Sequence, residues 1–158
     1  MSEHKARISW KLDGGEFLKG RFSREHSWSF DGGLEVKASP SPAVVPVPWS
    51  NPAYIDPEEA YVAALASCHM LTFLWVAYRA GVEVARYEDA SVGVLTKDER
   101  GVSWVSSVVL RPQVEYRGAK VPSREEEERM HHAAHEGCFI SNSVKTEIKV
   151  ELAPRREE

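Results

Sequence analysis

Cysteine is scarce in this 158-residue chain: Cys68 and Cys138 are the whole supply. Two thiols are too few for a disulfide framework, and a bridge between them in a reducing compartment would be transient and catalytic rather than a staple. Excess positive charge is also missing. Twenty Lys and Arg against 24 Asp and Glu leave a net charge of −4, which offers no basic face to nucleic acid. The opening residues MSEHKARISW lack the apolar stretch of a secretory leader, so a cytoplasmic location is expected. Long apolar runs are absent with one exception. From Ala60 to Tyr78 there is no charged side chain apart from a possible charge on His69. That run approaches the roughly 20 residues of a membrane span. Ser67, Cys68, His69 and Thr72 interrupt it and no second span follows, which favours a core helix and no membrane partner.

What is present reads as one globular domain over residues 1–158, with 42% hydrophobic and 28% charged residues. The apolar run opens with Asp56, Pro57, Glu58 and Glu59. Asp is a strong N-cap, Pro suits the first helical position, and Glu three residues after the cap completes a capping box. Gly81 supplies the stop. The helix is apolar all round and should be buried on most sides. Before it, residues 7–12, 16–22 (resuming at 26–30) and 34–38 read as strands separated by Asp-Gly-Gly turns. Residues 39–57 hold six prolines and can only be an extended crossover. After the helix, 82–96 and the alternating stretch 102–116 read as long strands, with Pro112 marking a bulge or an edge. Ser123 caps a second helix with an acidic first turn, Gly137 interrupts it, 138–143 is a turn, 144–152 is the last strand, and 153–158 is a frayed tail. The order is β-β-β-α-β-β-α-β, an α+β class.

Three groups of residues could carry chemistry. Cys68 and Cys138 suit a peroxidase in which one thiolate attacks an O–O bond and a second thiol resolves the sulfenic acid; two unrelated buried cysteines are the plain reading. His131, His135 and Cys138 fall at i, i+4 and i+7, a spacing that could offer N/S ligands to zinc, against the plainer reading of a solvated histidine-rich face. His69 points about 100° away from Cys68 around the helix and is poorly placed as its base. Arg21 and Arg24 precede the Asp31-Gly32-Gly33 turn, and an Arg near a thiolate would lower its pKa. Trp28, Phe30, Met70 and Phe73 could line a pocket for an organic tail or simply pack the core.

SREHSWSFDGGLEVKAS (23–39), DPEEAYVAALASCHM (56–70) and CFISNS (138–143) together resemble the OsmC/Ohr family, the osmotically inducible protein C and organic hydroperoxide resistance proteins. The resemblance extends over nearly the whole chain. It implies antiparallel sheets wrapped around long central helices in an intertwined homodimer. It implies thiol peroxidase activity on organic hydroperoxides, and more weakly on hydrogen peroxide, with no metal or prosthetic group and with an external dithiol as reductant. By resemblance Cys68 is the peroxidatic cysteine, Cys138 the resolving one, Arg24 (or Arg21) the catalytic Arg, and Glu58 the carboxylate that orients it. Phe139 stands where the family often has Pro. Two rivals remain: a non-catalytic metal- or ligand-binding dimer of the same fold, and a cysteine hydrolase built on Cys68 and a histidine.

Overall fold

The computed structural model describes residues 1–154; positions 155–158 of the predicted frayed tail lie outside the described residues. The chain divides into two compact units, Met1–Ala60 and a second beginning at Tyr61. In the first, β1 (Ala6–Ser9), β2 (His26–Phe30) and β3 (Glu35–Ala38) form an antiparallel meander in which Ile8 faces Trp28 and Trp28 faces Val36. The strand expected at 16–22 does not form. Glu16 N–H donates to Arg21 O at 2.7 Å and Arg21 N–H to Glu16 O at 3.2 Å, closing a tight loop around a 3-10 turn at Phe17–Lys19. Gly15 is required there, because a Cβ would come within 2.3 Å of the Arg21 carbonyl oxygen. β1 also stops short of Leu12. Trp10 leaves the strand to donate its indole N–H to Ser23 O at 2.9 Å and to pack beside Phe17 and Phe22. The crossover from 39 has no strand or helix before α1 (Pro57–Arg79), as its prolines require.

α1 begins as predicted. Glu59 N–H donates to Asp56 Oδ1 at 2.7 Å and Asp56 N–H to Glu59 Oε2 at 3.1 Å, the reciprocal capping box. Only one stripe of α1 is buried: Leu65, His69, Phe73 and Ala77, four residues apart. Leu71, Trp75 and Tyr78 are 61%, 59% and 71% exposed. The expectation of burial on most sides therefore fails within a single chain. α1 still has the length and composition of a membrane-crossing helix, but its buried stripe carries His69 and packs into a protein core.

In the second unit each predicted long strand is bent once. Residues 82–96 become β4 (Glu83–Asp89) and β5 (Val92–Lys97), and residues 102–116 become β6 (Ser103–Leu110) and β7 (Pro112–Arg117). The arms pair antiparallel, β4 with β7 and β5 with β6. The bend is pinned where Arg111 N–H donates to Asp89 Oδ1 at 2.7 Å, beside Pro112, which breaks the ladder. α2 (Arg124–Gly137) follows, with a second capping box between Ser123 and Glu126. β8 (Glu147–Val150) then joins β6 parallel rather than antiparallel. A crossover through a helix returns the chain to the same end of the sheet, which parallel pairing requires. One core cluster centres on Phe73, Ala77, Val82, Met130 and Ala134, the other on Leu65, Val108 and Leu110.

Candidate active site

Cys68 lies half-way along α1 and is half-buried; Cys138 caps the C-terminus of α2 and is fully buried. Gly137 eases their meeting. A Cβ at that position would lie 3.1 Å from Thr72 Cγ2, so the missing side chain lets the end of α2 close on α1 one turn past Cys68. The chain then turns sharply. Asn142 N–H donates to Cys138 O at 3.1 Å, the Asn142 amide donates to Glu136 O and Cys138 O at 2.8 and 2.9 Å, and the Ser143 hydroxyl donates to Phe139 O at 2.7 Å. These bonds fix the 138–143 turn beneath α1.

The Cys138 thiol and the backbone at Phe139 and Ile140 lie close enough to the Cys68 sulfur to shift its pKa. Burial and the Cys138 contact push the Cys68 thiol up, against the lowering effect of that backbone. Burial also works to raise Cys138, but hydrogen bonds from the Cys68 thiol and from Ser141 outweigh it and bring Cys138 below its ordinary value. Ser141 N–H reaches the Cys138 sulfur at 3.4 Å. The pair alone therefore does not favour negative charge on Cys68. A cation facing Cys68 would move that charge to the more accessible sulfur.

Arg24 and Glu58 belong to the first unit, the two cysteines to the second. Arg24 donates through Nη1 to Gly20 O at 2.9 Å and Phe22 O at 2.7 Å, and its guanidinium lies 3.8 Å from the Phe22 ring centroid. No carboxylate occupies this fork among the described residues. Arg21, by contrast, is paired with Glu16 at 3.2 Å. Glu58 sits half-buried in the first turn of α1 and makes no ion pair among the described residues. Phe73 is fully buried core and stacks on His131 at 4.1 Å, so of the four proposed tail-binding groups it drops out. Trp28, half-buried, donates its indole N–H to His26 Nε2.

The histidines are arranged differently from the sequence expectation. His131 is buried, 2% exposed, rather than part of a solvated face; only His132 of the three on α2 is freely exposed. His69 Nε2 and His131 Nδ1 are 3.0 Å apart, with the ring planes nearly parallel at 3°. Burial pushes both imidazoles down, His69 to about 4 and His131 to about 3. No pattern in the sequence links positions 62 residues apart, although the burial of His69 was legible from its apolar neighbours. With His131 turned to His69 and Cys138 to Cys68, the i, i+4, i+7 set does not converge. No group of three His, Cys, Asp or Glu among the described residues is placed to hold a metal ion.

The model of the OsmC-like protein family matches residues 50–153. Among solved structures, an OsmC-like protein of unknown function from Vibrio cholerae O1 biovar eltor superposes with a TM-score of 0.93 at 51% identity, covering 97% of this chain and 100% of that one. An organic hydroperoxide resistance protein from Elizabethkingia anophelis has a TM-score of 0.71 at 19% identity, covering 96% and 94%. The organic hydroperoxide resistance protein OhrB of Bacillus subtilis has a TM-score of 0.65 at 23% identity, covering 94% and 98%. The last two share the α+β fold with this chain. No curated protein matches it.

Proposed function

The chain belongs to the OsmC-like protein family, and from that premise we propose that it is a cysteine-based peroxidase reducing organic hydroperoxides, and hydrogen peroxide more weakly. The observation that carries this reading is the proximity of the Cys68 and Cys138 thiols, each of which perturbs the other's pKa. Two thiols brought together in this way are placed to close a disulfide. The Cys68 thiolate attacks the distal peroxide oxygen; the O–O bond breaks, Cys68 becomes a sulfenic acid, and the departing alkoxide takes a proton to leave as an alcohol. The Cys138 sulfur then attacks the Cys68 sulfur, the disulfide forms and water leaves. An external dithiol supplies two electrons and two protons to restore both thiols. Arg24, with no carboxylate partner among the described residues, supplies the charge that moves the thiolate to Cys68, and Glu58 holds the other side of the guanidinium fork.

Glu58 and Cys68 of one chain stand ten residues apart on α1, roughly 15 Å along the axis. One Arg does not span that distance, so each site takes Glu58 from a second copy of the chain. The bare Leu71, Trp75 and Tyr78 face of α1 supports such a homodimer, because an apolar surface of that kind gains about 25 cal/mol per Å² on being covered. The site needs no bound metal or prosthetic group in this reading, and its location is cytoplasmic.

The test is consumption of cumene hydroperoxide with a dithiol, set against hydrogen peroxide with a monothiol. Turnover in the first and little in the second is expected, with one intramolecular Cys68–Cys138 disulfide after stoichiometric peroxide. Failure to consume either peroxide in any thiol would end the reading.

Arg24 is tested separately. Arg24→Ala should raise the Cys68 pKa and slow peroxide attack by about 10- to 1,000-fold, the order expected for losing an electrostatic partner at a reacting group. Arg24→Lys should recover only part of the rate, having no planar fork. An unaltered thiol titration and rate in Arg24→Ala would transfer the role to Arg21 or remove it.

A further inference from the structure

Arg24 stands two residues before β2, the middle strand of the first unit's meander, which is bonded to β1 on one side and β3 on the other. His26 opens β2 and Trp28 follows two positions on, so their side chains leave the pleated strand from the same face. Trp28 is fixed within the sheet, opposite Ile8 and Val36. Its indole N–H reaches His26 Nε2 at 2.9 Å. The other ring nitrogen, His26 Nδ1, lies 2.8 Å from the Arg24 carbonyl oxygen.

These two contacts determine where the ring proton is. An indole N–H only donates, and a carbonyl oxygen only accepts. His26 Nε2 is therefore the acceptor, and His26 Nδ1 carries the hydrogen and donates it to Arg24 O. In such a chain each bond polarises and strengthens the next. The main chain of Arg24 is held on its other side as well: its N–H donates to Trp49 O in the proline-rich crossover at 3.0 Å. Peptide groups are planar, so one bond on each side of the Arg24 Cα fixes both planes. That fixes the direction in which the side chain leaves the backbone. Nη1 then rests on the Gly20 and Phe22 carbonyls, while Nη2 and Nε make no hydrogen bond among the described residues. Arg21 is held otherwise. Its N–H and C=O close on Glu16 within one loop, and its guanidinium pairs with the Glu16 carboxylate. Neither tie reaches the sheet.

We propose that His26 is a positioning residue for Arg24: its Nδ1–H holds the Arg24 carbonyl, Trp28 keeps Nε2 as the acceptor, and the guanidinium is thereby presented in one direction. A charge placed in advance costs no reorganisation when the reaction occurs. The inference rests on Arg24 being the arginine that serves Cys68.

Two readouts test it. Cys68 alkylation by iodoacetamide against pH, read on its own peptide by mass, gives the thiol pKa without any peroxide. Consumption of cumene hydroperoxide with a dithiol gives the rate. His26→Phe keeps a ring and loses both bonds; it should raise the Cys68 pKa and slow peroxide consumption about tenfold, the worth of one hydrogen bond. His26→Asn, whose amide N–H sits close to the place of Nδ1, should recover most of that loss. Arg24→Ala/His26→Phe should be no slower than Arg24→Ala, because a residue that acts through Arg24 has nothing left to act on. In the wild-type protein, nitrogen NMR of the His26 ring at neutral pH should show the proton on Nδ1 and a bare Nε2, a result that needs no variant to fold. A proton on Nε2, a wild-type thiol pKa and rate in His26→Phe, no recovery in His26→Asn, or additive losses in the double variant would each overturn the inference and leave Arg24 in its role. An unaltered Arg24→Ala would instead end the role of Arg24, and the inference with it.

Discussion

Cys68→Ser should turn over no hydroperoxide, and activity should return when that inactive homodimer exchanges subunits with inactive Glu58→Ala. In the proposed arrangement each site uses the cysteines of one chain and Glu58 of the other. A Cys68→Ser/Glu58→Ala heterodimer then has one site with intact Cys68 and intact Glu58, and one site with neither. Activity should approach half the wild-type value per heterodimer, from a Cys68→Ser parent expected to lie several orders of magnitude below it, as for removal of a nucleophile. Cys138→Ser should behave differently. It keeps the nucleophile and loses the resolving thiol, so one oxidation should occur and stop at sulfenic or over-oxidised Cys68, seen as added oxygen in the intact mass. Dithiol-dependent turnover in Cys68→Ser would sink the thiol mechanism. Verified heterodimers that stay inactive, although both parents fold, would sink the shared site and leave the thiol chemistry standing.

Acid should unfold this protein through its buried histidine pair. In the unfolded chain both imidazoles take a proton as pH falls through about 6.5. In the folded chain burial holds them neutral down to about pH 4 for His69 and about pH 3 for His131. Between those limits the unfolded state binds more protons than the native one, so stability falls as pH falls and is fully present above pH 6.5. Asp89 works against the effect by favouring a charged His69, while His135 adds to it; Arg124 adds to it at His131. Each histidine contributes a slope of at most ~1.4 kcal/mol per pH unit. The pair together removes on the order of 5 kcal/mol by pH 4, a large share of the ~5–15 kcal/mol that holds a domain folded. Denaturant unfolding at pH 7, 6, 5 and 4 reads the slope directly. His131→Phe, which keeps a ring against Phe73, should be flatter by about 1.4 kcal/mol per pH unit. Parallel slopes in wild type and His131→Phe would show that other groups carry the acid sensitivity.

Both helices were legible in the sequence because their signals are local. Asp56 with Glu59 and Ser123 with Glu126 are capping boxes whose donors and acceptors lie three residues apart, and both form as written. The prolines from 39 onward forbid regular structure on their own account. The resemblance to OsmC/Ohr proteins rested on contiguous blocks, and the family match agrees with it. The failures all involve partners distant in the chain or choices among near-equal local states. Residues 16–22 have strand composition, yet Glu16 and Arg21 bond to each other and leave no ladder edge. Residues 82–96 and 102–116 have strand periodicity throughout, but the bend between their arms is set by an Asp89–Arg111 bond that spans 22 positions.

The sequence by itself determined where the helices begin, where the crossover runs, and that a thiol sits within an apolar helix. Capping, proline geometry and hydrophobic periodicity act within a few residues and need no partner. Only the tertiary structure decided that Cys138 comes up to Cys68, that His131 turns inward to His69, and that one side of α1 stays bare. Those outcomes depend on which surfaces meet, and packing against elements remote in sequence leaves no periodic trace in the chain.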